Sequence, residues 1–181
     1  MAVTLKRKLD YDDYAGIPPD RSRYEILDGD LFVTPAPSPF HQRASRRLQR
    51  HLEDYFHPPG RAEVFNAPID VILSLHDVVQ PDLVVVADPA QVSRRGIEGA
   101  PLLVIEVLSP STANQDRTVK ARRYAALGIV HYWMMDSEAR RIECYRLAGA
   151  EYALLVQAEG DGVLTHPDFP GLAITLAELW R

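Results

Sequence analysis

The chain holds a single cysteine, Cys144, among 181 residues. One thiol closes no internal disulfide, and without a second sulfur or a paired histidine spacing it frames no zinc site. That usage points to a reducing cytosol. Long apolar runs are equally scarce. The longest stretches free of Asp, Glu, Lys and Arg, Leu31 to Gln42 and Tyr124 to Met135, are twelve residues each, short of the roughly 18 or more that a membrane span needs. A secretory leader is not expected, because Asp10, Asp12 and Asp13 follow the basic start Lys6, Arg7, Lys8 where an apolar segment should stand. There is no repeat, no low-complexity tract and no glycine-rich phosphate loop, and neither Ser109 nor Ser111 lies in a G-x-S-x-G turn. Basic excess is missing too: 20 Lys and Arg against 25 Asp and Glu leave a net charge of −5. No long-range field draws in a polyanion, so any surface for nucleic acid has to be local.

What is present is an ordinary globular composition, 46% hydrophobic and 25% charged, over a length that suits one domain spanning residues 1–181. Asp10 and Asp13 predict a capped first helix near Tyr11 to Ala15, a lid at most, stopped by Ile17-Pro18-Pro19. Asp28-Gly29 between Arg23–Leu27 and Asp30–Val33 predicts an N-terminal β-hairpin, since that pair tolerates the positive φ angles of a two-residue turn. After the proline-rich Thr34 to Pro39 the pattern from His41 to Phe56 is helical, with Ala44, Leu48, Leu52 and Tyr55 on one face and Arg43, Arg46, Arg47 and Arg50 mostly elsewhere. Strands are expected at Glu63–Leu73, Val79–Ala87 and Leu102–Leu108. The last two are nearly continuous in apolar residues, as strands buried on both faces are. A second helix capped by Asn114 or Asp116 should run to Leu127 and end at Gly128. A strand at His131–Met135, a hairpin of Arg141–Leu147 with Glu151–Gln157, and a short helix at Leu176–Trp180 complete an α/β fold with helices on a mixed sheet.

Two of the buried strands carry an acid each, Asp82 and Glu106. An unpaired buried carboxylate costs several kcal/mol or becomes neutral, and a shared cation is the simplest remedy. Two carboxylates, a backbone carbonyl and waters make an oxygen shell that suits Mg²⁺. Lys120, on the helix after the Glu106 strand, can swing its ammonium over the carboxylates, with Tyr124 four residues on to support it. Glu25, between Tyr24 and Ile26, is a third acid that can join them. Other readings compete: Asp82 as a turn cap, Glu106 paired with a buried Arg or Lys, Lys120 and Glu25 as solvated residues, and the arginine helix as a solvated face balanced by Glu53 and Asp54. His41, at a helix start beside the proline loop, either reaches the site or faces water.

The ordered set Tyr24-Glu25-Ile26-Leu27-Asp28-Gly29, Ser38-Pro39-Phe40-His41, Gln80-Pro81-Asp82-Leu83, Glu106-Val107-Leu108-Ser109-Pro110-Ser111, and Lys120 with Tyr124, Gly128 and Tyr132-Trp133 resembles the Uma-two family, a bacterial branch of the PD-(D/E)XK nuclease superfamily. The resemblance runs from about Tyr11 to Leu147 and implies a restriction-endonuclease-like core, a mixed central β-sheet flanked by helices. It maps the Pro-Asp of the superfamily motif onto Pro81-Asp82 and its second acid onto Glu106. The superfamily's lysine two residues later is Leu108 here, so Lys120 on the next helix becomes the candidate, and Glu25 matches an additional N-terminal glutamate.

The implied activity is metal-dependent hydrolysis of phosphodiester bonds in nucleic acid, DNA first. Asp82, Glu106 and the Val107 carbonyl would hold Mg²⁺ or Mn²⁺, Lys120 would orient the attack and Glu25 the metal-bound water. A cytoplasmic homodimer is expected. The alternative is a non-catalytic binding or regulatory module that keeps the fold, for which Leu108 and the acidic balance speak. A hydrolase of smaller phosphate esters is disfavoured by the missing phosphate loop.

Overall fold

The computed structural model describes residues 7–18, 20, 22–58 and 60–181. Lys6 of the basic start and Pro19 of the predicted helix stop lie outside the described residues. In chain order the elements are α1 (Tyr11–Ala15), β1 (Arg23–Leu27), β2 (Asp30–Thr34), α2 (Pro39–Phe56), β3 (Glu63–Asn66), β4 (Val71–Ser74), β5 (Asp77–Val79), β6 (Leu83–Val86), β7 (Ile97–Glu98) and β8 (Leu103–Val107). There follow α3 (Ala113–Gln115), a π-helical turn (Asp116–Lys120), α4 (Ala121–Ala126), β9 (His131–Asp136), β10 (Arg141–Ala148), β11 (Glu151–Glu159), β12 (Val163–His166), β13 (Phe169–Thr175) and α5 (Leu176–Trp180). A six-stranded sheet ordered β11-β10-β9-β8-β6-β3 and a five-stranded sheet ordered β2-β1-β5-β4-β7 form the body, with β12-β13 as a separate ribbon. Both large sheets are mixed, since β8 runs parallel to β9 and β4 to β7 while the other neighbours are antiparallel. The expected α/β class and N-terminal hairpin are thus present.

The central strands bury both faces. Leu83, Val85, Leu103, Ile105, Val107, Trp133 and Met135 join one apolar layer with Ala44, Leu48, Leu52 and Phe56 of α2, and the alternate residues Val84, Val86, Val104, Tyr132 and Met134 join a second layer with Tyr124 and Ile129. Strand alternation of period two produces this division. Each large side chain so enclosed contributes about 1.5–3 kcal/mol of burial. Glu106 shares the face of Val104, so its carboxyl enters the second layer.

Local chemistry explains the ends of the elements. Asp10 and Asp13 form a reciprocal capping box on α1. Ser38 accepts from the His41 N–H at 3.2 Å at the start of α2, with Pro39 in its first turn. The β1–β2 turn holds Asp28 at φ 51° and Gly29 at φ 81°, as a two-residue turn of that type requires.

Several expectations change. The predicted strand Glu63–Leu73 is two strands in different sheets, interrupted at Pro68, and Val79–Ala87 likewise divides around Pro81. Proline supplies no ladder donor, so each marks a place where the chain leaves one sheet for the other. Asp116 is no helix cap but sits inside the helical run, which makes a π turn there. Phe56, not Tyr55, completes the buried face of α2. The first helix is no lid: Tyr14 bonds Asp70 at 2.6 Å and the Tyr11 N–H bonds the Leu75 carbonyl at 2.9 Å, pinning α1 to the five-stranded sheet. The β12-β13 ribbon and the short β7 were not anticipated. None of the helices among the described residues is long and apolar enough to cross a membrane.

Candidate active site

The segment Gln80-Pro81-Asp82 links β5 of one sheet to β6 of the other, and the polar cluster gathers around it. The Gln80 N–H donates to Glu25 Oε1 at 2.8 Å, and the Arg23 guanidinium holds the Gln80 carbonyl and Asp82 Oδ1, the latter at 3.2 Å. β6 and β8 pair Leu83 with Ile105. One step further along that register Asp82 stands beside Glu106, as cross-strand neighbours do. The Val107 N–H donates to Asp82 Oδ2 at 2.8 Å, and His41 Nε2 lies 3.1 Å from the same oxygen.

Glu106 meets Lys120, which the π turn delivers from the opposite side. The Lys120 ammonium stands 2.9 Å from Glu25 Oε2, 3.0 Å from Glu106 Oε1 and 3.6 Å from Asp116 Oδ1. The Tyr124 hydroxyl donates to Glu106 Oε1 at 3.0 Å. π turns occur disproportionately at functional sites. Here the turn carries both Asp116 and Lys120, and both are buried in the cluster. All five groups are withdrawn from water: Glu25 is 0% exposed, Asp82 6%, Glu106 2%, Asp116 2% and Lys120 3%.

The electrostatics follow from that burial. Desolvation pushes the Glu106 carboxyl up; Lys120 opposes it, Asp116, Asp82 and Glu25 add to it, and the result is about 8. Burial also raises Asp116. Burial works the same way on Glu25, but the Lys120 and Arg23 charges reverse it and leave that carboxyl below its usual range. Asp82 is likewise lowered, burial being outweighed by its bond and charge contact with His41 and by Arg23. Burial lowers Lys120, yet Glu106, Glu25 and Asp116 overcome it and raise its pKa. Two permanent cations, Lys120 and Arg23, therefore face four carboxyl groups, of which Glu106 and Asp116 are pushed by burial toward the neutral acid, and a further cation beside them would favour their ionised forms.

A cavity of about 370 Å³ opens onto this cluster, lined among others by His41, Asp82, Glu106, Val107, Asp116 and Lys120. Glu25 does not line it; it lies behind Lys120, where its oxygens hold the ammonium and the Gln80 N–H. Asp82 and Glu106 present hard oxygens to one cavity, the donor chemistry that Mg²⁺ or Mn²⁺ takes. Among the described residues no group of three or more His, Cys, Asp or Glu stands in a ready-made ligand shell. Arg23 and His41 engage Asp82, and Lys120 and Tyr124 engage Glu106. The donor set thus fits the ion, and Arg23 and His41 are the side chains that would have to turn aside to admit it.

The four predicted site side chains, Glu25, Asp82, Glu106 and Lys120, come together, Val107 lines the cavity beside them, and neither Glu25 nor Lys120 is the solvated residue it could have been. Three partners were missed or left open. Asp116 carried a signal, its four-residue spacing from Lys120 on one helix face. Arg23, two residues before Glu25 on β1, shares that residue's strand face. His41 faces the site rather than water.

A restriction-endonuclease-like α/β fold with buried acids at the junction of two strands and a lysine above them defines the class. Within it, the chain belongs to the Uma2 family, described as "Putative restriction endonuclease", whose pattern residues 10–177 match. It is similar to the Synechocystis protein slr1290, 30% identical over an alignment of 131 residues that covers 69% of this chain and 66% of that uncharacterized relative, just under two thirds of its length. Its fold is similar to that of a solved protein from Anabaena variabilis ATCC 29413, described as "a putative nuclease belonging to DUF820", with a TM-score of 0.76, 19% identity, and coverage of 95% of this chain and 97% of that one.

Proposed function

We propose that the protein is a divalent-metal-dependent endonuclease that hydrolyses phosphodiester bonds in DNA. The observation that carries this reading is the buried set of Glu25, Glu106 and Asp116 around the Lys120 ammonium, with Asp82 beside Glu106, at a cavity, in a chain of a family described as "Putative restriction endonuclease". Asp82, Glu106 and the Val107 carbonyl would hold Mg²⁺ or Mn²⁺, which when bound supplies Lewis acidity and an activated water. The chain's own groups do the rest. Lys120 points its charge at the developing negative charge of the phosphoryl oxygens. Tyr124 and Glu25 fix that ammonium and its carboxylate partner in place, which makes Glu25 a positioning residue for Lys120 rather than for a water. Arg23 neutralises Asp82 when no other cation does, and His41 Nε2 holds the other oxygen at 3.1 Å.

The same reading takes residues 1–181 as one nuclease-like unit, acting in the cytoplasm as a homodimer, because cutting two strands calls for two sites and closed two-fold pairing is the commonest arrangement. Leu108 at the superfamily's lysine position favours a non-catalytic module, but the buried Lys120 supplies an ammonium at the acids and supports turnover. The test is incubation of purified protein with plasmid and single-stranded substrates, with Mg²⁺ or Mn²⁺ and with chelator, beside Asp82→Ala. Metal-dependent cleavage lost in Asp82→Ala is expected. Wild type that cleaves nothing with any metal or substrate overturns the reading in favour of the binding module.

A further inference from the structure

The outer face of α2 carries three cations that the fold leaves without a counter-charge. Arg43, Arg46 and Arg50 are exposed, and none has a carboxylate within ion-pair distance among the described residues. Of the two acids expected to balance them, Glu53 accepts from Gln49 at 2.7 Å and Asp54, exposed on the next turn, makes no ion pair with them. The fourth arginine, Arg47, is committed to the C-terminal turn, where it donates to the Leu179 carbonyl at 3.3 Å. Other exposed cations divide: Lys8–Asp28 at 2.6 Å and Arg146–Asp168 at 3.3 Å are paired, while Arg94 and Arg122 have no ion pair among the described residues but do not line the groove beside α2. Alongside α2 runs a groove of about 500 Å³, bounded by Gln42, Arg43, Arg46, Gln49 and Asn66, and it reaches Asp82. Among the described residues Asp82 is the one acid lining that groove, and it also lines the cavity over Glu106 and Lys120. The groove therefore leads from Arg43 and Arg46, with Arg50 one turn beyond them on α2, to the candidate reaction centre.

We propose that Arg43, Arg46 and Arg50 form a phosphate track that lays the backbone of a nucleic-acid strand along α2 and delivers it to Asp82. This rests on the nuclease reading above and assigns its strand-binding surface. Offsets of three and four residues place the arginines on one helix face. At 1.5 Å per residue they span about 10 Å of axis, enough to touch successive phosphates of one strand. Guanidinium forks match phosphate oxygens in two-point contact. In a chain of net charge −5 such contacts have to come from a local strip of this kind. Phosphate contacts position a strand without reading its sequence, so the track predicts tight salt dependence with little sequence preference.

The test measures binding apart from turnover. Fluorescein-labelled single-stranded DNA, duplex DNA and RNA are titrated with the full chain in chelator, by anisotropy over a range of salt. The variants are the pair Arg43→Gln, Arg46→Gln and the control pair Arg94→Gln, Arg122→Gln, exposed arginines that leave the groove intact. The α2 pair should melt like wild type, lose about ten-fold or more in affinity near 0.1 M salt, and reduce the slope of log K against log salt by about two. The control pair, with the same charge removed, should change affinity less than about two-fold. The tightest of the three probes names the strand class. An α2 pair with wild-type affinity and slope, or a control pair that loses as much, overturns the track. Cleavage with Mg²⁺ or Mn²⁺ is scored separately: a wild type that binds through α2 but never cleaves removes the nuclease reading and keeps the track. A wild type that cleaves, with the α2 pair binding and cleaving equally well, removes the track alone.

Discussion

Replacing Lys120 by Met keeps an unbranched apolar stem and deletes only the ammonium that Glu25, Glu106 and Asp116 share at 2.9, 3.0 and 3.6 Å. Removing one partner of a buried ion pair typically costs 3–5 kcal/mol, because the other charge stays buried and unmatched. Tyr124 and the Gln80 N–H still serve two of the oxygens here, so the lower end, about 3 kcal/mol, is the working value. For a chain of this size that corresponds to a fall in Tm of about 6 to 12 °C. Activity should fall further than stability explains. A preorganised charge aimed at the transition state is worth on the order of 10²-fold or more in rate, and the assay is cleavage of plasmid well below the lowered Tm, at saturating metal. Isothermal titration with Mn²⁺ separates the roles, since a lysine that acts on the reaction leaves metal uptake intact. Lys120→Arg should rescue poorly, because a planar fork cannot occupy the point between three carboxylates that an ammonium fills. If Lys120→Met melts with wild type and cleaves at the wild-type rate, Lys120 is neither the keystone of the cluster nor its catalytic charge.

Three further outcomes are expected. Mg²⁺ or Mn²⁺ should raise the Tm of wild type by mass action and leave that of Asp82→Ala unmoved; equal calorimetric affinity in both proteins would remove Asp82 from the metal site. The second concerns His166, buried against Phe169 with ring centroids 4.6 Å apart. Burial pulls its pKa down to about 4, with the neighbouring His131 and Arg146 adding to the effect and Asp168 opposing it. Since the unfolded chain binds that proton more readily, stability is complete above about pH 6.5 and declines by up to about 3 kcal/mol towards pH 4. His166→Asn retains an acceptor for the Asp168 N–H, which His166 Nδ1 takes at 3.2 Å, and should flatten this acid limb in denaturant titrations; an unchanged limb refutes the assignment. Third, light scattering should report twice the mass of the chain at working concentration, and a monomer there rules out the homodimer.

How far the sequence alone reached depended on what each residue's neighbours had to supply. The β1–β2 hairpin was legible because Asp28-Gly29 settles its turn locally, and β6 and β8 were legible because nearly unbroken Val, Ile and Leu fit only a strand covered on both faces. The divisions at Pro68 and Pro81 were visible as letters but not weighed against the apolar runs around them, although a proline in a central strand argues against that strand. β12 shows alternating burial at Val163, Leu164, Thr165 and His166, a weak period-two signal that passed unnoticed. The site divides along a sharper line. Asp82 and Glu106 declared themselves because an acid in a buried strand is costly wherever it stands, and that cost can be read from its flanking residues alone. Arg23 and Asp116 did not, and Lys120 stood as a candidate beside the reading of a solvated residue, because a Lys, Arg or Asp in a helix or a hairpin is ordinarily solvated; only the fold buries Asp116 and Lys120 in the π turn and holds Arg23 against Asp82. Spacing says where charge is buried. Which residues answer it depends on a one-residue helical bulge that a 3.6-residue period cannot register, so the acids set among apolar strand residues are readable before the full set of partners around them is.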